Sequence, residues 1–474
     1  MFVLVLLTAC GSDTGGDTVD TACGGAGCDS GVVRREGELD AADADVLVGG
    51  AMANDELGAA VAIGDATGDG RPDLLVGARG EASGKGGAWL FAGPLTPGSV
   101  DVADATAHLT SADTVQLGTE GCLGRDLTGD GVGDLVVGSR SWMRSPVGGA
   151  AFVIPGPVTG ELDAAEAGTT LLSGEEDDLF GIAVSCGGDA TGDGASDLLV
   201  GARSRDGRAP DAGAAFLFAS PIAATGPADA VLTVRGEGGD DAAGRAVDLR
   251  SDLDGDGLAD VVVGAYRQSA EVGFGGAVYV VAGGTTGVVD LGDADVVLRA
   301  TEDGASAGRA LTSAGDLDGD GRADLVVGLS GVNGLAGAVA VLTSPLPATG
   351  SFSASSARFS ASTADANAGF AVLADADLDG DGVDELGVGA PGQHGDGRGT
   401  LPGEAWFFYG PVAGALTAED AAIHVTTTEG GAGLGYALAG GDLDGDGRDD
   451  VAIGANFFSP DASGGVAVLF GAAP

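Results

Sequence analysis

Apolar residues in this chain fall into short runs of Leu, Val, Ala and Gly, each cut off from the next by turn-forming residues. Runs this short, bounded by Gly and Asp, predict strands and not helices. One type is uninterrupted, as in Leu135-Val136-Val137-Gly138 and Leu325-Val326-Val327-Gly328, which suits a strand buried on both faces. Before it stands a small-residue strand, opened by a glycine behind an apolar residue (Leu57-Gly58, Leu117-Gly118, Phe180-Gly181, Ala243-Gly244). A third strand follows, such as Gly275 to Val281 or Gly403 to Tyr409. A fourth then alternates polar and apolar residues, as in Asp295 to Arg299. Seven repeats of this order predict an all-β fold, a seven-bladed β-propeller of four-stranded antiparallel blades. The last repeat reaches only its third strand, Gly465 to Phe470, while Asp43 to Val48 matches the fourth-strand segment Asp293 to Leu298. The N-terminal strand is therefore expected to complete the last blade and remove an exposed edge.

Between its first and second strands each repeat carries a nine-residue acidic loop. The loops begin at Asp65, Asp126, Asp189, Asp252, Asp316, Asp377 and Asp442. Position 5 is Asp69, Asp130, Asp193, Asp256, Asp320, Asp381 and Asp446, and position 9 is Asp73, Asp134, Asp197, Asp260, Asp324, Glu385 and Asp450. Position 3 is Thr67, Thr128 and Thr191 in the first three loops, and Asp254, Asp318, Asp379 and Asp444 in the others. Glycines at positions 4 and 6 let the backbone curl at positive φ. A hard cation such as calcium takes six to eight oxygen ligands, and alternate acids in a tight loop supply them. One such loop would pass for a polar turn, but seven in register predict metal sites. They are not EF-hands, which need an acid at position 12; here that position is apolar (Val76, Val137, Val327) and the flanks read as strands.

Charge adds to this picture. The 474 residues hold 71 acids against 21 bases, a net charge of −50, which argues against nucleic acid as a partner. Seven divalent ions would add 14 positive charges and leave −36. Without metal, the clustered carboxylates should repel one another and loosen the fold.

The order of glycine, acidic loop and apolar run ending in Gly-Ala resembles the FG-GAP repeats of the integrin α-subunit head, and Gly387-Val-Gly-Ala-Pro391 is close to that signature. The resemblance covers residues 41 to 474. It implies up to seven Ca²⁺, held by side chains at positions 1, 3, 5 and 9 and by the carbonyl of position 7. Those carbonyls belong to Arg71, Val132, Ala195, Leu258, Arg322, Val383 and Arg448. Thr at position 3 removes a charge, so the first three sites are expected to be weaker.

The N-terminal segment carries a second resemblance. Its apolar run ends in Leu7-Thr8-Ala9-Cys10, similar to the lipobox of bacterial lipoproteins, which implies cleavage before Cys10 and its lipidation. The run is too short to span a bilayer. The expectation is an exported, outer-membrane or cell-surface lipoprotein of a bacterium, touching the membrane only through that anchor. Residues 1–10 would then be the signal and residues 11–40, rich in Gly, Ser and Asp, a flexible tether. Cys23 and Cys28 could close a small disulfide there. Cys122 and Cys186 are either a bridge between neighbouring blades or two buried thiols.

The loops joining second and third strands lie opposite the acidic loops. They hold nine of the 21 bases but six of the 71 acids, so one face should be near neutral on an acidic body. Arg79, Trp142, Arg144, Arg203, Arg205, Tyr266, Arg267, His394 and Arg398 make it the candidate ligand face. Arg245 and Arg309, just behind the opening glycines, either ring the channel mouth or form structural salt bridges, the latter being favoured. The three histidines (His108, His394, His424) do not repeat, and no phosphate loop or zincin helix is present. The expectation is a monomeric, non-catalytic calcium-binding module for a protein or glycan ligand. The alternative is a propeller hydrolase or lyase acting on an extracellular polymer.

Overall fold

The computed structural model describes residues 35–50, 52–142, 148–392, 401–458 and 463–471. Seven sheets, one per repeat, stand around a central channel lined by their first strands. In blade 4, Ala243–Asp248, Val261–Ala265, Ala277–Val281 and Val296–Arg299 pair in order, antiparallel throughout. Six of the seven blades then depart from the four-stranded expectation. They carry a fifth, outermost strand, parallel to the fourth and lent by the next repeat. Blade 3 takes Gly287–Asp290 in this way, and blade 4 takes Thr349–Ser351. Blade 2 has four strands. The segment that would supply its fifth, just before the turn Pro227–Asp229, meets this edge through the Leu172 N–H, which donates to the Thr225 carbonyl at 2.9 Å.

Blades 6 and 7 draw on the start of the chain. Gly37–Asp40 lies parallel to Ile423–Thr426 as the fifth strand of blade 6, and Val46–Gly49 runs antiparallel to Gly465–Leu469 as the fourth strand of blade 7. The Tyr409 hydroxyl donates to the Arg35 carbonyl at 2.6 Å, and the Arg35 guanidinium pairs with Asp45. Ordered chain thus reaches back past residue 41 into the stretch assigned to the tether.

The uninterrupted apolar strands are explained by their neighbours. Leu198 and Val200 pack with Val136 and Val153 of blade 2, while Leu199 packs with Val261 and Val263 of blade 4. Both faces of a second strand are therefore core. The glycine that ends each run has a steric reason: a Cβ on Gly201 would sit 2.1 Å from the carbonyl oxygen of Gly244, the opening glycine of the next blade. The same approach recurs round the ring and closes between Gly454 and Gly58 at 2.2 Å.

Cys122 and Cys186, on the first strands of blades 2 and 3, form a disulfide with a Cα–Cα separation of 6.2 Å. Of the two readings of this pair, the bridge is the one the structure contains. It closes a loop across a sequence separation of 64 residues. Reduction is expected to cost about 4 kcal/mol by loop-closure entropy, read as a lower denaturant midpoint with dithiothreitol than without. A matching midpoint in Cys122→Ser/Cys186→Ser with and without reductant would tie the effect to this pair. Cys10, Cys23 and Cys28 lie outside the described residues.

Candidate metal centres and the channel mouth

Each acidic loop is folded by its own carboxylates. Asp65 accepts from the N–H groups of Gly68 and Gly70, at 2.7 and 2.8 Å, and the first acid of the other six loops does the same with both loop glycines. The fifth-position acid accepts from the N–H of position 7, as Asp69 does from Arg71 at 2.9 Å. The same bond joins Asp130 to Val132, Asp193 to Ala195, Asp256 to Leu258, Asp320 to Arg322, Asp381 to Val383 and Asp446 to Arg448. The ninth-position acid is fully buried in every loop and takes the N–H of position 2, for example Leu253 to Asp260 at 2.8 Å. Position 2 is itself a buried Leu or Ala (Leu127, Leu253, Leu443, Ala66), which seats the loop on the core.

Four loops gather three carboxylates with oxygens within 4.8 Å of one another. They are Asp252, Asp254 and Asp260; Asp316, Asp318 and Asp320; Asp377, Asp379 and Glu385; and Asp442, Asp444 and Asp450. These are the four loops with Asp at position 3. In the other three, the Thr67, Thr128 and Thr191 hydroxyls donate to Asp73, Asp134 and Asp197 at 3.3, 3.3 and 3.4 Å. An all-oxygen, carboxylate-rich donor set suits a hard divalent cation and not one that prefers nitrogen or sulfur. The arrangement could therefore hold a metal in at least four places.

Burial of the ninth-position acids shows in their titration. Burial pushes the ninth-position carboxyls up and N–H donors pull them back, and in the four loops with Asp at position 3 the neighbouring acids push further. Asp260 and Asp324 rise to about 6, Asp450 to about 7 and Glu385 to about 8. Asp384 and Asp449, at position 8 of the last two loops, were not singled out by sequence. Each accepts from the first N–H of the preceding loop (Asp316 and Asp377, at 2.8 and 3.0 Å) and so ties neighbouring loops together.

The FG-GAP repeat family model matches residues 57–91, 243–281 and 434–469, which are the first three strands of blades 1, 4 and 7 with their acidic loops. The chain contains FG-GAP repeats, set in a seven-bladed β-propeller. Repeats of this kind often bind Ca²⁺, and the four carboxylate clusters sit at the loop positions where an FG-GAP propeller would hold it.

The channel encloses a cavity of about 570 Å³. At the end nearer the acidic loops Arg250 spans three blades, meeting Asp248 of its own strand, Thr312 of blade 5 at 2.6 Å and Asp375 of blade 6. In each inner hairpin the acidic loop joins one end, and the residue behind Gly-Ala stands at the other, since Gly64 pairs with Asp73 and Leu57 with Ala78. Residues from several repeats converge at that second end. Arg203 donates to the Tyr266 hydroxyl at 2.9 Å, and Arg309 lies over Phe370 at 4.5 Å and Tyr266 at 5.9 Å. Arg140 and Arg245 complete the cationic half of this mouth, with Glu120 among them. Sequence reasoning missed Glu120, although a signal exists: every other repeat has Ala two residues after its opening glycine (Ala60, Ala183, Ala246, Ala310, Ala371, Ala437). Burial pushes Glu120 up to about 7 against the pull of Arg245.

The candidate ligand-face residues divide. Arg203 and Tyr266 line or flank the mouth. Arg79 is tied to Glu56 and the Tyr436 hydroxyl, and Arg205 to Asp178 and Glu175 at 3.0 and 2.7 Å, so these two serve the fold. Arg267 lies over Phe274 at 5.6 Å. Trp142 ends the second strand of blade 2, and Arg144, His394 and Arg398 lie outside the described residues. Arg245 and Arg309, favoured above as salt-bridge residues, have no carboxylate within ion-pair distance among the described residues. His108 is held by Glu81 and Glu161, and His424 by Glu404, on the outer strands.

Proposed function

We propose that this FG-GAP propeller is a non-catalytic binding module, stapled by Ca²⁺ in its acidic loops, that offers the mouth face to a protein or glycan ligand. The observation that carries the calcium reading is the recurrence of three convergent carboxylates in the four loops with Asp at position 3. Display on a bacterial surface through a lipidated Cys10 completes the proposal. It is supported by the lipobox resemblance and by the Cys122–Cys186 disulfide, which suits an oxidising compartment. The charge of −50 keeps nucleic acid out of the partner class.

Titration calorimetry on the chelator-treated protein tests the metal claim. Four tight Ca²⁺ sites and weaker binding at the Thr loops are expected, and Thr191→Asp should move one weak site into the tight class. Fewer than two saturable sites would defeat it. A second reading, a hydrolase or lyase on an extracellular anionic polymer, is favoured by the meeting of Glu120 and several arginines in one cavity, with the Tyr266 hydroxyl bonded to one of them, Arg203. Release of reducing or unsaturated ends from acidic polysaccharides would establish that reading.

A further inference from the structure

We propose that the channel mouth is an oxoanion site, in which Arg140, Arg203, Arg245 and Arg309 receive a carboxylate, sulfate or phosphate group. This deepens the binding-module reading by naming the ligand chemistry, and it does not depend on calcium. The four arginines come from blades 2, 3, 4 and 5, so four repeats each contribute one cation to a single cavity. Among the described residues none of them is within ion-pair distance of a carboxylate, in a chain with 71 acids and 21 bases. Elsewhere in the same channel Arg79 and Arg250 both have acid partners, while Arg125 has no carboxylate within ion-pair distance among the described residues.

The side chains are also held in place without being neutralised. Arg309 is stacked on Phe370 at 4.5 Å, and Phe370 in turn packs on Tyr436 at 4.9 Å. Arg203 is fixed by the Tyr266 hydroxyl, yet its Nε is buried with no hydrogen-bond partner. Burial, with the cationic neighbours adding to it, depresses Arg203 and takes Arg309 down to about 10, the cost of like charges gathered out of water. An oxoanion removes that cost, since guanidinium forks match the paired oxygens of a carboxylate, sulfate or phosphate. Packing alone would explain one stacked arginine, but not four that share a cavity. Glu120 is the acid among them, and a protonated Glu120 would add a donor to such a ligand.

Calorimetry on the whole protein, at fixed ionic strength with chloride as the reference, would use sodium sulfate, sodium phosphate and sodium glucuronate as probes. Saturable binding of at least one is expected. Glucuronate binding alone would assign the anion to an acidic sugar, and sulfate or phosphate binding to an inorganic or ester group. Arg245→Gln and Arg309→Gln should weaken it at least tenfold, each being one charge-assisted fork lost. Arg205→Gln, whose guanidinium is taken up by Asp178 and Glu175, should leave it unchanged. Arg309→Lys keeps the charge and guards against a folding failure: a folded Lys variant that binds as well as the native protein would overturn the role of the fork. No saturable binding of any probe would overturn the site, and a normal Ca²⁺ count in the same sample would leave the module reading standing.

Discussion

Calcium should raise the melting temperature of the chelator-treated protein by far more than any single substitution. A ligand that binds only the folded state stabilises it by RT ln(1 + [L]/Kd), so four sites at a hundredfold excess contribute about 11 kcal/mol. The pH dependence should change sign with metal. In the metal-free protein the ninth-position acids bind protons more tightly when folded than when unfolded, at about 6 for Asp260 and Asp324 and about 8 for Glu385. Raised carboxyl values favour the folded state at low pH, and that contribution is lost as pH climbs from the unfolded range through these folded values. Melting temperature in chelator should therefore fall between pH 5 and pH 8. With saturating Ca²⁺ the carboxylates are held ionised, and the same interval should show a rise as protons cease to compete. Parallel curves with and without the ion would reject the metal reading of the loops.

Arg250→Met is expected to destabilise the protein by about 3–5 kcal/mol, the usual cost of stranding one member of a buried ion pair. Asp248 is 2% exposed in its side chain and accepts from the Arg250 guanidinium, the Ser313 N–H at 2.8 Å and the Ser185 hydroxyl at 3.2 Å. Burial works against its charge, but Arg250 and these donors outweigh burial and hold the carboxyl below its ordinary value. Removing Arg250 leaves that charge without its counter-ion and severs blade 4 from Thr312 and Asp375. Asp248→Asn in the same background should recover much of the loss, since it removes the charge and keeps an acceptor. A loss below about 1 kcal/mol for Arg250→Met, the range of an exposed pair, would mean that water already screens this contact.

The parts of the fold that were legible in the sequence are those written once per repeat. Seven acidic loops and seven apolar runs state the blade count, and position 3 alone separates the four convergent carboxylate clusters from the three Thr loops. The fifth strands were not legible because each is three or four residues long, as in Gly37–Asp40 or Gly414–Leu416, and pairs along one edge with little apolar periodicity. The mouth was hidden for a different reason. Its residues stand about one repeat apart, and each taken alone reads as an ordinary loop or strand arginine. The ring brings them together, and only lining up the repeats exposes Glu120 against six alanines.

The two clasp strands also set an order on biogenesis. Gly37–Asp40 and Val46–Gly49 are synthesised well before their partners Ile423–Thr426 and Gly465–Leu469. Blades 1 to 5 take every strand from residues 57 to 416 and can assemble while the chain is still emerging. Blade 7 pairs its third and fourth strands only after Gly465–Leu469 has left the ribosome. Gly37–Asp40 must therefore wait for Ile423–Thr426, and Val46–Gly49, which can meet Gly98–Asp101 early, must wait for its antiparallel partner Gly465–Leu469.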